Sequence, residues 1–349
     1  MFIIYVIISI LLIWGCRFHR AGSYNDSYIV QGQCNCIKGF FIAVVFCRHI
    51  VPYIVEAGYD FSIAGDNVFR WIDGHIGQLL VVMFLFYSGY GVTESIKTKG
   101  GEYVRRIPKK RILVTLANFD VAVFIFMVVD ILLSIEYSTK DILLSFTGWK
   151  SIGNSNWYIF VILVCYISSF GAYRISSHKE VNRTLFGGGN LFYISCIYIM
   201  LLATKPGYWY DTIFSYPLGV YYSLYKEEFE NFVKYHYTLA LTTFGLSFLL
   251  LMICNFEFMG LFANLRGSVM AILIVLLSMK IELRSKPLSW LGKNLFPLYI
   301  YQRIGMIILS HIDGGAFISA HPFYYVMLCA IITLLLGWSY KFIQIKIKS

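Results

Sequence analysis

The chain has 349 residues, of which 58% are hydrophobic and only 14% are charged, and its mean hydropathy is +0.67. A soluble domain usually carries about a quarter charged residues, so this composition excludes an ordinary soluble protein. The formal net charge is +10, which the distribution of basic residues about a membrane explains without a nucleic-acid partner.

Apolar residues occur in blocks of about 15–24 residues, the length with which a helix crosses a bilayer. We predict an all-α polytopic membrane protein with about 11 transmembrane helices. The predicted spans are residues 2–15, 38–55, 76–93, 112–134, 157–173, 188–203, 212–224, 237–255, 260–279, 295–311 and 323–342. The spans 188–203 and 212–224 are the weakest, because either could be a re-entrant or broken helix.

The first segment, MFIIYVIISILLIWGC, lacks the basic start and the small-residue cleavage site of a signal peptide. A retained first span is therefore expected.

The eight cysteines lie mostly inside apolar blocks, where Cys behaves as a small hydrophobic residue. They imply neither a disulfide framework nor a zinc site. No set of His, Cys, Asp and Glu has the spacing of a metal site, so no metal and no bound cofactor are expected.

The connection between the third and fourth predicted spans, KTKGGEYVRRIPKKR, contains seven Lys and Arg residues. The positive-inside rule places such a segment in the cytoplasm. Alternation of the spans then predicts an outside N-terminus and a cytoplasmic C-terminus. This orientation places most of the 29 basic residues on the cytoplasmic side.

Two ionisable residues in the second span, Lys38 and His49, are eleven residues apart. At about 100° per residue, eleven residues come within about 20° of three full turns, so both side chains share one helix face, about 16 Å apart along the axis. A cation at the water interface can hold an anionic donor, and a neutral imidazole deeper in the span can accept a proton. The alternative is an interfacial Lys anchor and a core histidine. Arg48 is a second basic group at that depth and also needs a partner.

The segment IKGFFIAVVFCRHIVPYI (37–54) resembles the first core helix of the membrane acyltransferase-3 family, whose signature is a basic residue, ten intervening residues and then His. Further landmarks follow in the family's order along residues 31–342. They are IGQLLVVMFLFYSGYGV (76–92), the basic run from Arg105 to Arg111, NWYIFVILVCYI (156–167), SYPLGVYYSLYK (215–226) and LSWLGKNLFPLYIYQ (288–302). On this resemblance, residues 31–349 are the membrane acyltransferase domain with a ten-helix core, and residues 1–30 are an additional N-terminal transmembrane helix with its cytoplasmic connection.

The resemblance implies transfer of an acyl group, usually acetyl, from a cytoplasmic acyl-CoA to a hydroxyl of a cell-surface or lipid-linked saccharide. It implies a multi-pass protein of the bacterial cytoplasmic (inner) membrane that modifies envelope polysaccharide or exopolysaccharide by O-acetylation. His49 and Lys38 are the expected catalytic residues. The residues expected at the acceptor or in the pocket are Ser88, Gly89, Tyr90, Trp157 and Gln302.

The chemistry of the basic run agrees with an acyl-CoA co-substrate, because coenzyme A is polyanionic and Arg binds phosphate in a bidentate manner. The expected donor contacts are Arg105, Arg106, Lys109, Lys110 and Arg111. A topogenic and lipid-headgroup role for the same run is the alternative. Two further alternatives remain open: Ser88-Gly89-Tyr90 as a helix-packing notch, and Trp157 as part of the aromatic belt.

The sequence departs from the family pattern in two places. The family often carries Arg-x-x-Arg in the cytoplasmic loop, whereas here the nearest substitute is Arg106-x-x-Lys109. Many members place a histidine near position 302, where this chain has Gln302, so a second catalytic histidine is not expected there.

A transporter or flippase for a lipid-linked saccharide is the competing function, with Lys38, Arg48 and Asp120 as pathway charges. Such transporters often show related halves with paired broken helices, and no internal symmetry is visible in the sequence. A polysaccharide polymerase would need a large outer loop, and no predicted outer loop is long enough.

Overall fold

The structure is a computed structural model that describes residues 2–20, 22–62, 65–176, 182–254 and 259–345, apart from the side chains of Met259 and Asp313. Within the two predicted parts of the chain, residues 1, 21, 63–64, 177–181, 255–258 and 346–349 lie outside the described residues.

The described chain is built almost entirely of helices, numbered here α1 to α16 in chain order. They are Ile3–Ile13, Gln31–Glu56, Asp66–Ile76, Val82–Arg106, Val114–Leu132, Thr139–Ser145, Trp157–Ser176, Arg183–Thr204, Ser215–Leu224, Lys226–Tyr235, Tyr237–Ile253, Met259–Ser278, Lys286–Lys293, Leu295–Ser310, Ala316–Ala320 and Pro322–Ile343. Short 3₁₀ turns at Gly77–Val81, Gly207–Trp209 and Ile312–Gly315 and a π-helical segment at Ile107–Leu113 join some of them. Two-residue strands, β1 (Arg17–Phe18) and β2 (Ile281–Glu282), pair antiparallel.

Six helical segments of the described chain are long and apolar enough to cross a membrane, or up to seven if the pair α10 and α11, bent by 101°, forms one span. The prediction of a helical, multi-pass membrane protein is thereby confirmed. Each of the eleven predicted spans overlaps a helix, while their full number and orientation stay predictions. The span predicted at 188–203 lies within the 22-residue helix α8, whereas 212–224 coincides with the ten-residue helix α9, too short to cross alone.

Helices α3, α4 and α5 follow one another without an intervening loop from Asp66 to Leu132, a stretch of 67 residues. At 1.5 Å per residue this stretch would measure about 100 Å, over three times the bilayer core, so it cannot be one straight span. Two glycines with positive φ interrupt it, Gly77 at 45° and Gly100 at 55°. The basic run follows the second interruption, where the chain turns from α4 into α5.

Helices α4 and α9 pack backbone against backbone through glycines on both sides. A Cβ added to Gly89 would overlap the carbonyl oxygen of Tyr216, and one added to Gly219 would overlap the carbonyl oxygen of Phe86. Small residues allow this close approach between membrane helices. Helices α2 and α13 interlock in the same way through Gly39 and Gly292. These contacts fix α2, which carries Lys38 and His49, and α4 within the core.

Gly89→Ala is expected to destabilise the protein by about 1–3 kcal/mol or more, because the methyl group has no space against α9. Gly91→Ala, on the same helix, is the matched control, since no atom lies within 4 Å of the added Cβ. Alanine there should be neutral or stabilising by up to about 1 kcal/mol. Thermal unfolding of both variants in detergent measures the difference. Equal midpoints for both would contradict the packing contact.

Candidate functional site

His49 lies in the middle of a small polar group between three elements. Helix α2 runs without interruption from Gln31 to Glu56, so Lys38 and His49 do belong to one helix. The His49 Nδ1 atom lies 3.5 Å from the Ser155 hydroxyl, and the His49 ring centroid lies 6.1 Å from that of Tyr299. The imidazole is half-buried, so α2 presents it to other protein groups as well as to open space.

Gln302 and Arg303 on α14 complete the surroundings of His49. Both side chains are within electrostatic range of the imidazole. Gln302 is 1% exposed, and its Nε2 donates to the Tyr299 carbonyl at 3.0 Å. Its Oε1 is buried, and among the described residues its partner is the imidazole of His49, with which the Gln302 side chain hydrogen-bonds. The Arg303 guanidinium donates to the Tyr53 hydroxyl at 3.1 Å.

A buried polar loop before α7 brings Ser155 to His49. Loops seldom enter a membrane domain unless their polar groups are satisfied within the protein. Here Ser151 Oγ donates to the Asn154 carbonyl at 2.7 Å, and Asn156 Nδ2 donates to the Gly148 carbonyl at 2.8 Å. Asn154, Ser155 and Asn156 are each less than 9% exposed. The loop therefore has its own hydrogen bonds and can hold the Ser155 hydroxyl in place.

Lys205 fastens this loop to the end of α8. Its ammonium lies 3.7 Å from the ring centroid of Trp149 and 4.1 Å from that of Trp209, and it donates to the Trp149 carbonyl at 2.6 Å. Burial, and secondarily the charge of Lys150, lowers the pKa of the Lys205 ammonium to about 8. A lysine between two indoles in this way stabilises the contact of two chain segments.

Lys205→Met should lower the free energy of unfolding by roughly 1–2 kcal/mol, because it removes the cation–π contacts of the Lys205 ammonium with Trp149 and Trp209. Since the loop holds Ser155 beside His49, catalytic activity should fall with it. The control is Lys140→Met, on an exposed lysine of the preceding segment. Thermal unfolding and transfer rates are measured on both. Unchanged values for Lys205→Met would contradict a role in holding the loop.

Arg48, the residue before His49, pairs with Asp73 of α3. The Asp73 side chain is 4% exposed and that of Arg48 is 43% exposed. Asp120, in contrast, has a buried carboxylate oxygen without a partner among the described residues. Asp73 is thus the partner that Arg48, the second basic residue on this part of α2, requires. The ion pair connects α3 to α2 next to His49.

A cavity of about 430 Å³ lies beside the polar group around His49, between α4, α5, α7, α14 and α16. Three basic residues line it, Arg111, Lys293 and Lys341, and the described lining contains no acidic side chain. Its walls also include aromatic rings, among them Tyr158 and Tyr299. A pocket of this size with a net positive lining can hold the anionic part of a small molecule.

Arg111 lines the cavity and belongs to the π-helical segment Ile107–Leu113. Single π-helical turns are frequent at functional sites. The Arg111 Nε donates to the Tyr103 hydroxyl at 3.2 Å, and its guanidinium lies 6.0 Å from the ring centroids of Tyr103 and Tyr166. Lys38 is close enough to Arg111 for mutual repulsion, although Lys38 does not line the cavity. The two cations therefore stand near each other at one side of the site.

The other members of the basic run lie outside the cavity. Arg106 forms an ion pair with Glu102 at 2.7 Å, while Arg105, Lys109 and Lys110 are exposed. Of the five basic residues predicted to contact the donor, the structure places Arg111 alone at the cavity.

The predicted pocket residues are similarly divided. Ser88 lines the cavity next to the hydroxyls of Tyr158 and Tyr166. Gly89 faces α9 and acts as a packing notch, and Tyr90 lies outside the lining, 6.1 Å from the ring of Tyr222. Trp157 also lies outside it, against Tyr208.

Tyr299 connects the cavity to His49. Its ring forms part of the cavity wall and packs 5.3 Å from the ring of Tyr158, while its other neighbour is the imidazole. Tyr299 is 2% exposed, and its hydroxyl is close enough to the Tyr158 backbone to hydrogen-bond with it. His49 itself does not line the cavity. The two tyrosines therefore separate the basic cavity from the polar group around His49.

Several of these residues were not predicted. Tyr299 and Lys293 belong to the segment LSWLGKNLFPLYIYQ, which resembles the family, but the resemblance does not single out either residue. Lys341 reads in sequence as an anchor at the end of the last span. Ser155 follows no recognisable pattern. Among the described side chains, no group of three or more His, Cys, Asp and Glu is arranged to hold a metal ion.

The fold and this site define a multi-pass membrane protein with a basic cavity beside a histidine within its helical core. The family model of the acyltransferase-3 type, described as an acyltransferase domain, matches residues 32–341. The chain therefore belongs to this family and is an acyltransferase. Comparison with curated proteins and with solved structures finds no match.

Proposed function

We propose that the protein transfers an acyl group, in the simplest case acetyl, from a cytoplasmic acyl-CoA to a hydroxyl of a cell-surface or lipid-linked saccharide. The observation that carries this proposal is the basic cavity separated from His49 by the ring of Tyr299. A bacterial inner-membrane location follows from the same proposal, with the N-terminus outside and the C-terminus in the cytoplasm.

The cavity is the proposed donor site. Arg111, Lys293 and Lys341 come from three separate elements and converge on one space without an acidic residue in the described lining. Basic side chains held close together without anionic partners favour binding of a polyanion. The phosphates of coenzyme A supply that charge, and Lys38, beside Arg111, extends the positive region toward His49.

The thioester end of the donor would then face Tyr158 and Tyr299. The thioester can reach the imidazole only when the Tyr299 ring changes its orientation, because this ring separates the cavity from His49. Tyr299 excludes water from the thioester until the acceptor is present, because the closed wall keeps the two compartments separate.

His49 acts as the general base. It accepts the proton of the acceptor hydroxyl while the hydroxyl oxygen attacks the thioester carbonyl carbon. A new C–O bond forms, the C–S bond breaks, and the coenzyme A thiolate leaves and takes a proton from the imidazolium. Ser155, at 3.5 Å from Nδ1, and Gln302, whose side chain hydrogen-bonds with the imidazole, orient the ring.

The test is release of free coenzyme A by the purified protein in detergent or vesicles. We expect release from acetyl-CoA that depends on added saccharide acceptor, with one acyl ester formed for each coenzyme A released. Movement of a lipid-linked saccharide across vesicles without consumption of the thioester would contradict the proposal and favour the transporter.

A further inference from the structure

A second pocket lies at the end of α2 remote from Lys38. It measures about 490 Å³ and is open to the surroundings. One side of it is the segment Asp60–Ser62, and the other is the exposed face of α3. This volume lies within the range of pockets that bind small ligands.

Helix α3 has two different faces. Asp66, Phe69 and Asp73 are buried, and Asp73 pairs with Arg48, the neighbour of His49. The opposite face carries Asn67, Arg70, Trp71, Gly74 and His75, which all line the pocket. The same short helix thus contacts the catalytic neighbourhood with one face and forms the pocket with the other.

Trp71 is the main apolar surface of the pocket and is 61% exposed. The His75 ring stacks on it, with the centroids 4.3 Å apart and an interplanar angle of 27°. His75 is itself fixed, since its Nδ1 lies 2.8 Å from the Trp71 carbonyl. One face of the indole is therefore supported by protein and the ring is preorganised, which reduces the entropy lost on ligand binding.

Polar groups surround the indole. The Arg70 guanidinium is held 5.6 Å from the centroid of the Phe61 ring. Asp60 accepts hydrogen bonds from the Ser62 hydroxyl at 2.6 Å and from the Ser62 N–H at 2.9 Å, and these bonds lower the pKa of the Asp60 carboxyl. The pocket thus has a charged hydrogen-bond donor, Arg70, and a charged hydrogen-bond acceptor, Asp60, beside the flat indole of Trp71.

We propose that this pocket binds a sugar ring of the acceptor saccharide, with the C–H face of the ring on Trp71 and its hydroxyls hydrogen-bonded to Asp60, Asn67 and Arg70. A hydroxyl both donates and accepts, so it can use the carboxylate, the amide and the guanidinium together. The inference rests on the proposed function, because it supplies the place where the acceptor waits on the side of His49 opposite to the donor. The pocket is a recognition surface and takes no part in the chemical step.

The test compares Trp71→Ala, Trp71→Phe and the control Trp14→Ala in membranes. Trp14 is another exposed tryptophan, at the end of α1. The probe is the pool of oligosaccharides released from the envelope of cells that lack the protein. We expect Trp71→Ala to raise the KM for this pool about tenfold without changing kcat or the KM for acetyl-CoA. Trp71→Phe should retain most of the affinity, since it keeps a flat ring.

Retention of the same oligosaccharides on immobilised, detergent-solubilised protein measures binding without transfer. Loss of retention in Trp71→Ala alone supports the pocket. Equal retention and equal KM values for Trp71→Ala and Trp14→Ala would overturn it and leave Trp71 as an interfacial anchor, as would absence of retention by the wild-type protein. If the wild type retains the oligosaccharides through Trp71 but releases no coenzyme A, the proposed function fails and the saccharide pocket stands.

Discussion

His49→Ala is expected to lower the rate of acyl transfer by about 10²–10⁴-fold, the usual contribution of a general base. The donor cavity does not include His49, so the affinity for acyl-CoA should stay the same. Acceptor-dependent release of coenzyme A at saturating donor measures the rate, and equilibrium binding of acetyl-CoA measures the affinity.

His311→Ala is the matched control for this experiment. His311 sits at the end of α14 and its Nδ1 lies 2.9 Å from the Ile307 carbonyl, outside the site. Its removal should leave transfer within about twofold of wild type, as expected for a residue outside the site. A fully active His49→Ala protein would rule out the histidine as the base. Loss of acetyl-CoA binding in the same variant would show instead that His49 supports the structure of the cavity.

Arg111→Ala is expected to raise the KM for acyl-CoA about 10–100-fold, because a charge-assisted hydrogen bond to phosphate contributes about 1.5–3 kcal/mol. Arg111 is the member of the basic run that lines the cavity. Substrate saturation curves with acetyl-CoA measure the effect, and the KM for the acceptor should not change.

Arg105→Ala tests the same run at an exposed position outside the cavity. Its effect on the KM for acyl-CoA should be less than about threefold, because Arg105 does not line the cavity and a charge without a direct donor contact acts only through interactions that salt screens. Equal increases for Arg105→Ala and Arg111→Ala would contradict a specific donor contact. Such a result would favour a general interaction of the basic run with lipid headgroups.

The helical periodicity of the second span predicted correctly that Lys38 and His49 lie on one helix, since α2 continues through both. Periodicity describes contacts along one helix only. It could not predict that Tyr299, 250 positions away in sequence, would lie against His49, or that a polar loop would place Ser155 there. Such contacts depend on how helices pack, which a single sequence does not specify.

The basic run shows the same limit. Its composition predicted a cationic surface, but composition does not tell Arg111, which lies in the π-helical segment and lines the cavity, from Arg105, which does not line it. Lys293 and Lys341 join Arg111 from distant segments. For Gly89, the sequence left a ligand contact and a packing notch open. The carbonyl of Tyr216 against it favours the notch.

Mass spectrometry of the surface glycans of cells that carry either the wild-type protein or His49→Ala tests the central claim most directly. Both proteins must be present in the membrane in equal amounts. We predict an acyl increment on one sugar of the wild-type glycan and its absence with His49→Ala. The same increment in both samples, or none in either, would contradict acyl transfer through His49.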